Sequence, residues 1–340
     1  MRMKAKVTIV GAGSLGMLFG GRLAAAGAVV ELVVRRPEQG RRLEAEGLIL
    51  GAAGGGAQAP LHVRPAVRLL EGSDGPDRGA APGGHWVLLT VKQTAVTPGF
   101  AEALRRLLPE DAVLVCLQNG IGHAEVLAEA FPLQRLLLAV TTEGALKQSD
   151  TEAFHTGKGT TWIGAAAGEG GPALSVQKNL AALLERAGFR AEVSNNIQQR
   201  VWQKLLMNAV INPLTAILQV PNGELPLLPG VPQLMRELLG EGEELARRLG
   251  IPLDPGLWEQ VLSVCRATAA NRSSMLQDVL AGRPTEIGAI NGGLLREAQR
   301  LDVRLPVNET VYTLVRALEE KGRHTRGQPA TMPIESGDED

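Results

Sequence analysis

The chain has 340 residues, 44% of them hydrophobic and 21% charged, which is ordinary for a globular protein and long enough for two domains. A formal net charge of -1 provides no long-range pull toward nucleic acid or an anionic membrane, so any bound anion must meet locally placed cations. Aromatics at 3% disfavour base-stacking modes of single-strand binding, and the two cysteines form neither a metal nor a disulfide pattern.

Cys116 lies in the apolar run Val113–Leu117 and reads as a buried free thiol, usage that suits a reducing cytoplasm. The basic start is followed by an apolar stretch broken at Gly11 and Gly13, unlike a signal peptide. No apolar run reaches the roughly 20 residues needed to span a bilayer. A cytoplasmic protein with no nucleic-acid or membrane partner is expected.

In chain order, residues 6–10 read as a buried strand, residues 14–26 as a helix stopped at Gly27, and Val29–Val34 as a second strand. Short strands are expected at Gly47–Leu50 and Ala59–Arg64. The segment Glu71–Gly84, rich in Gly, Pro and Asp, reads as a surface insertion. Trp86–Val91, Ala112–Leu117 and Leu136–Thr141 read as strands, Thr97–Leu108 and His123–Ala130 as helices, and Phe154–Gly164 as an added hairpin. Strands alternating with helices imply a parallel, doubly wound sheet.

Beyond about residue 195 the periodicity becomes helical throughout, at Gln198–Leu218, Val231–Leu249, Leu257–Ala270, Ser273–Leu280, Ile287–Arg300 and Asn308–Glu320. The expected fold is α/β: an N-terminal Rossmann doubly wound domain over residues 1–180, then an all-α domain over 190–320. Residues 321–340 are polar, lack periodicity and read as a disordered tail.

The loop Gly11, Ala12, Gly13, Ser14, Leu15, Gly16 matches G-x-G-x-x-G. Its context agrees with a dinucleotide site, because it follows a strand, opens a helix and precedes a second strand. An NAD site commonly ends that second strand with a carboxylate for the ribose 2′-hydroxyl. This chain has Val33-Val34-Arg35-Arg36-Pro37 there, and Glu31 comes too early in the strand. Arg35 suits a 2′-phosphate, so NADP(H) is the expected cofactor. The alternative is a solvated arginine pair.

Lys204, Asn208 and Asn212 recur every fourth residue in a segment otherwise largely apolar, which places all three on one face of a buried helix. Burying an amide or ammonium without a partner is costly, so the row should meet partners, water or a ligand.

These segments together resemble the ketopantoate reductase (2-dehydropantoate 2-reductase) family over the chain to about residue 320. The resemblance rests on Gly11–Gly16, Thr90-Val91-Lys92, Gln118-Asn119-Gly120 and the Lys204/Asn208/Asn212-Pro213-Leu214 helix, followed by Pro221–Leu225, Asn271–Asp278 and Thr285-Glu286-Ile287. It implies NADPH-dependent reduction of ketopantoate to (R)-pantoate, for pantothenate and coenzyme A synthesis, in a cleft between the two domains. By resemblance, Lys204 is the general acid, and Asn208, Asn212 and Asn222 hold the substrate. Ser274, with Asn271 nearby, receives its carboxylate. Asn119 bridges cofactor and substrate, Lys92 and Ala145 contact the cofactor, and Glu286 contacts the cofactor and orients Lys204.

The residue chemistry agrees, since an ammonium can stabilise and then protonate the oxygen of a ketone under hydride attack. Singly, the motifs have plainer readings: Lys92 as a surface lysine, Asn119-Gly120 as a turn, and Ser273 or Ser274 as a helix cap. The rival functions are reduction of another branched 2-keto acid and NADP(H) sensing without turnover. A homodimer is a compatible assembly, and no metal site is expected.

Overall fold

The computed structural model of the protein describes residues 5–52, 59–70, 84–167 and 170–327. The chain divides into two compact units, Met1–Lys204 and Leu205–Asp340. The first begins with β1 (Lys6–Val10), α1 (Ser14–Ala25), β2 (Val29–Val34), α2 (Pro37–Glu46), β3 (Leu48–Ala52), β4 (Leu61–Val63), β5 (Ala66–Leu69) and β6 (His85–Leu89). It continues through α3 (Pro98–Leu107), β7 (Val113–Cys116), α4 (His123–Ala128), β8 (Leu136–Thr141), β9 (Gly144–Lys147), β10 (Glu152–Gly157), β11 (Thr160–Ala165), α5 (Leu174–Arg186) and β12 (Arg190–Val193).

Eight strands form the main sheet in the order β12-β11-β8-β7-β6-β1-β2-β5. From β5 to β8 every pairing is parallel; β11 then runs antiparallel to β8, and β12 parallel to β11. The order reverses between β1 and β6, and the carboxyl ends of strands at such a reversal are where doubly wound sheets bind ligands. Burial on both faces explains the unbroken apolar runs. In β6, Trp86 and Leu88 join the core cluster that contains α1 and α5 residues, while Val87 and Leu89 join the one that contains α3 and α4 residues.

A second sheet has the order β4-β3-β10-β9. It corrects the expected hairpin at Phe154–Gly164. β10 pairs with β9 and β3 in this small sheet, whereas β11 pairs with β8 and β12 in the main one. Two adjacent runs of strand-forming residues look like a hairpin locally, but distant partners separated them.

The second unit is helical. α6 (Ile197–Leu218) crosses the division between the units, and α7 (Val231–Arg248), α8 (Leu257–Ala267), α9 (Ser274–Leu280), α10 (Asn291–Arg300) and α11 (Pro306–Gly327) follow. α11 carries on past Lys321 to Gly327, so the stretch expected to be a tail begins in a helix. The remainder of that tail, 328–340, lies outside the described residues, as does most of the insertion, 71–83.

Pro213 lies inside α6. It has no N–H to give the carbonyl four residues back, that of Ala209. The side chain of Asn291, fully buried, donates to that carbonyl instead at 3.0 Å. Asn291 also donates to Asn308 Oδ1 at 2.9 Å, and the Glu241 carboxylate accepts from the Val307 and Asn308 N–H groups at the start of α11. A carboxylate there satisfies first-turn donors and opposes the positive end of the helix.

Candidate active site

The glycine loop joins β1 to α1, and its three glycines have different physical reasons. Gly11 has φ +105°, and a Cβ on it would lie 2.8 Å from Val91 Cγ1. On Gly16 a Cβ would fall 1.9 Å from the Gly11 carbonyl oxygen and 2.6 Å from Thr90 Oγ1, so α1 packs directly onto the turn. Around Gly13, the N-cap of α1, a Cβ would meet nothing within 4 Å. The middle of the loop is therefore open while its two ends are closed by packing. That is the form of a cradle in which backbone N–H groups at a helix start face a pyrophosphate.

At the end of β2, Arg35 is exposed and makes no ion pair or hydrogen bond with the described residues, while Arg36 is paired with Asp150. Glu31 is committed elsewhere: Arg68 of β5 donates to its Oε1 at 2.7 and 3.0 Å.

The turn between β9 and β10 reaches the same loop, a contact that the sequence reading did not anticipate. The Lys147 backbone N–H donates to Ser14 Oγ at 3.1 Å, and its Nζ donates to the Ala12 carbonyl at 3.5 Å and to Asp150 Oδ1 at 2.8 Å. Gln39 of α2 donates to the same Ala12 carbonyl and to that of Asp150. Ala145, in β9, is half-buried and packs against the α1-side core. Beside it lies a buried relay. Arg22 donates to His155 Nδ1 at 3.0 Å, so His155 carries its proton on Nε2, 2.6 Å from Glu143 Oε2.

Beyond β6 and β7 the expected residues gather at the carboxyl ends of the strands. Thr90 donates from Oγ1 to the Gly11 carbonyl at 2.7 Å, tying the end of β6 to the glycine loop. Lys92 follows on the surface and N-caps a short 3-10 turn. Gln118 donates to the carbonyls of Leu89 and Val91, and its buried Oε1 has no hydrogen bond among the described residues. Asn119 is half-buried next to Gly120, which sits at a bend with φ +83°.

His123 opens α4, is 4% exposed, and its Nδ1 has no hydrogen-bond partner among the described residues. Burial pushes its pKa down from 6.5 to about 4. The unfolded chain then takes up a proton that the folded one refuses, so stability falls as pH drops from about 6.5 toward about 4. At pH 5 the loss from this group should be about 2 kcal/mol. Urea titrations of wild type and His123→Leu at pH 7 and pH 5 test this. The variant should lose distinctly less stability than wild type between the two, and equal losses would discard the assignment. Burial also raises the thiols of Cys116 to about 12 and Cys265 to about 11, consistent with buried, unreactive cysteines.

Lys204 is half-buried on α6, and its Nζ donates to the Thr141 carbonyl at 2.9 Å, at the carboxyl end of β8. Asn208 and Asn212 follow at four-residue intervals on the same helix, half-buried and 8% exposed. Their side-chain amides make no hydrogen bond with the described residues. Amides not taken up by these residues can still donate to and accept from a polar ligand.

In the second unit Asn222 N–H donates to the Asn271 carbonyl at 3.0 Å, bringing two of the expected substrate residues together. Asn222 Nδ2 donates to Thr268 Oγ1, while its buried Oδ1 has no hydrogen bond among the described residues. Ser273 is the cap of α9: its Oγ accepts from Leu276 N–H at 3.0 Å and is hydrogen-bonded to Thr215. Ser274 is the first helical residue and is exposed, as is Asn271. Glu286 is 8% exposed, and its carbonyl accepts from Ala289 and Ile290. The described residues include no helix long and apolar enough to cross a membrane, and no group of His, Cys, Asp or Glu placed to hold a metal ion.

The family described as ketopantoate reductase PanE/ApbA matches residues 7–168, and its C-terminal counterpart matches residues 196–319. The 2-dehydropantoate 2-reductase of Archaeoglobus fulgidus is 34% identical over 317 residues, 92% of this chain and 98% of that one. The structure of a PanE/ApbA family ketopantoate reductase from Ralstonia eutropha JMP134 aligns with a TM-score of 0.80 at 30% identity, covering 94% of this chain and 100% of that one. A D-mandelate dehydrogenase solved with NADH and anilino(oxo)acetate shares the fold, with a TM-score of 0.83 at 24% identity over 94% of this chain and 99% of that one. With the two family segments in order along most of its length, the chain belongs to the ketopantoate reductase family.

Proposed function

We propose that the protein reduces 2-dehydropantoate (ketopantoate) to (R)-pantoate with NADP(H), a step toward pantothenate and coenzyme A. The observation that carries this reading is the face of α6 that aligns Lys204 with two amides that make no hydrogen bond with the described residues. The glycine loop would hold the pyrophosphate, Arg35 the 2′-phosphate, and Lys92, Asn119, Ala145 and Glu286 further parts of the cofactor. The bound nicotinamide supplies the hydride.

Lys204 places an ammonium at the ketone oxygen, where it stabilises the developing negative charge and gives up its proton, leaving an alcohol. The Thr141 carbonyl accepts one of its three N–H bonds, which fixes the direction of the chain. Asn208, Asn212 and Asn222 offer both donors and acceptors to the hydroxyl and ketone of the substrate. Asn271 and Ser274 would receive its carboxylate.

The test is NADPH absorbance decay with ketopantoate and 2-ketoisovalerate, which lacks the hydroxymethyl group. A site built around a hydroxyl discriminates strongly against the analogue without it. Ketopantoate should therefore be turned over with much the higher kcat/KM. Equal values would assign the site to branched 2-keto acids in general, and no oxidation with any keto acid would leave only a binding function.

Cofactor choice is tested separately. Arg35→Asp should raise KM for NADPH by about 10- to 150-fold, since hydrogen bonds to charged groups contribute roughly 1.5–3 kcal/mol. KM for NADH should change little. An unaltered preference between the two cofactors would remove Arg35 from phosphate recognition.

A further inference from the structure

The β9–β10 turn brings an acidic residue to the place where an anionic cofactor would bind. Asp150 receives Lys147 Nζ at 2.8 Å and is paired with Arg36, and its side chain is only 16% exposed. Lys147 and Gln39 both donate to the carbonyl of Ala12, inside the glycine loop, and Gln39 also donates to the carbonyl of Asp150. The turn is thus fastened to the cofactor loop, to α2 and to the residue next to Arg35. Of the cations Arg35, Arg36 and Lys147, a single carboxylate occupies two. Arg35 alone makes no ion pair with the described residues.

We propose that Asp150 is a specificity-determining positioning residue, whose carboxylate holds Arg36 and Lys147 and thereby sets how strongly the basic end of β2 takes a 2′-phosphate. The inference rests on the NADP(H) reading of Arg35. Two consequences follow from elementary electrostatics. A fixed negative charge near a phosphate site repels the ligand, and the cations it holds are less able to turn toward it. The charge is present at neutral pH, because burial works against ionisation but Lys147 and then Arg36 outweigh it, leaving the Asp150 carboxyl below its ordinary value. Asp150 therefore restrains affinity for the phosphorylated cofactor while it keeps Lys147 seated against the loop.

The experiment is binding of 2′-phospho-ADP-ribose and of ADP-ribose to full-length wild type, Asp150→Asn and Asp150→Glu. Asparagine keeps the size and hydrogen-bonding capacity but removes the charge; glutamate keeps the charge and shows whether the variant turn folds. At low salt Asp150→Asn should bind 2′-phospho-ADP-ribose about three- to tenfold more tightly than wild type, with ADP-ribose changed less than about twofold. The gain should fade at about 0.5 M salt, where screening reaches only a few ångströms. Asp150→Glu should stay close to wild type. A wild type that prefers the phosphorylated ligand, with an Asn variant that shows no change, a loss, or an equal shift for both ligands, overturns the inference and leaves the NADP(H) reading standing. A wild type with no preference overturns both.

Discussion

Replacing Lys204 by alanine should lower kcat with ketopantoate by about 10²- to 10⁴-fold, the usual contribution of a general acid, or roughly 3–5 kcal/mol of barrier. The expectation comes from one side chain performing two tasks on the same oxygen, stabilising its charge and protonating it. Neither asparagine on that face of α6 can replace it, since an amide is uncharged and a poor acid. Removing the bond to the Thr141 carbonyl should cost about 1 kcal/mol of stability, too little to unfold the chain. NADPH affinity, measured by fluorescence, should stay near that of wild type, because the glycine loop and Arg35 lie on other elements. A folded variant that binds NADPH and retains kcat within a few-fold of wild type would take Lys204 out of the chemistry.

Alanine at Gly13 and alanine at Gly16 should fail in opposite ways. At Gly16 the new methyl would sit 1.9 Å from the Gly11 carbonyl oxygen, an atom of backbone that already accepts a bond from Thr90. The start of α1 must move, and overpacking of this kind costs about 1–3 kcal/mol, with more where backbone is the obstacle. Gly16→Ala should therefore melt earlier than wild type and bind NADPH poorly. At Gly13 the methyl enters open space, and its φ of -84° is allowed to any residue. Gly13→Ala should melt within a degree or so of wild type, because exchanging glycine for alanine at a helix cap is a small change. Its NADPH affinity should still fall by at least about tenfold, since the methyl occupies the approach of the pyrophosphate. If Gly13→Ala bound NADPH as wild type does, the open side of the loop would not be where the cofactor lies.

Much of this could be read from the chain alone, for identifiable reasons. β1, β6 and β8 are buried on both faces and stand out as continuous apolar runs, and the glycine loop falls between a strand and a helix where its motif has meaning. Elements that bury little left a weaker trace. α2 has one buried apolar residue, Leu43, amid arginines and glutamates, and was not anticipated. Nor was β5, which lies at the sheet edge with no fully buried residue. α5 and β12 were also unanticipated, although α5 is amphipathic and buries Leu180, Leu183 and Leu184. At the site, residues within a motif were legible because spacing on one helix or one turn places them. The Gln39–Asp150 and Lys147–Ala12 contacts were not, because they join segments more than a hundred residues apart whose local sequences give no sign of one another.

The pairing of β3 with β10 has a further consequence in time. Leu48–Ala52 and Glu152–His155 can meet only after the intervening chain has been made, and closing so long a loop is an entropic barrier that local contacts do not share. During synthesis, β1, α1 and β2 can assemble early, so the glycine motif exists as a turn long before Lys147 and Gln39 together grip the Ala12 carbonyl. Pairings of large sequence separation are slow to form. The first unit should therefore pass through a species with its main sheet begun and its nucleotide loop still loose. In such a species, added dinucleotide would act as a template, favouring the late-arriving strands by mass action.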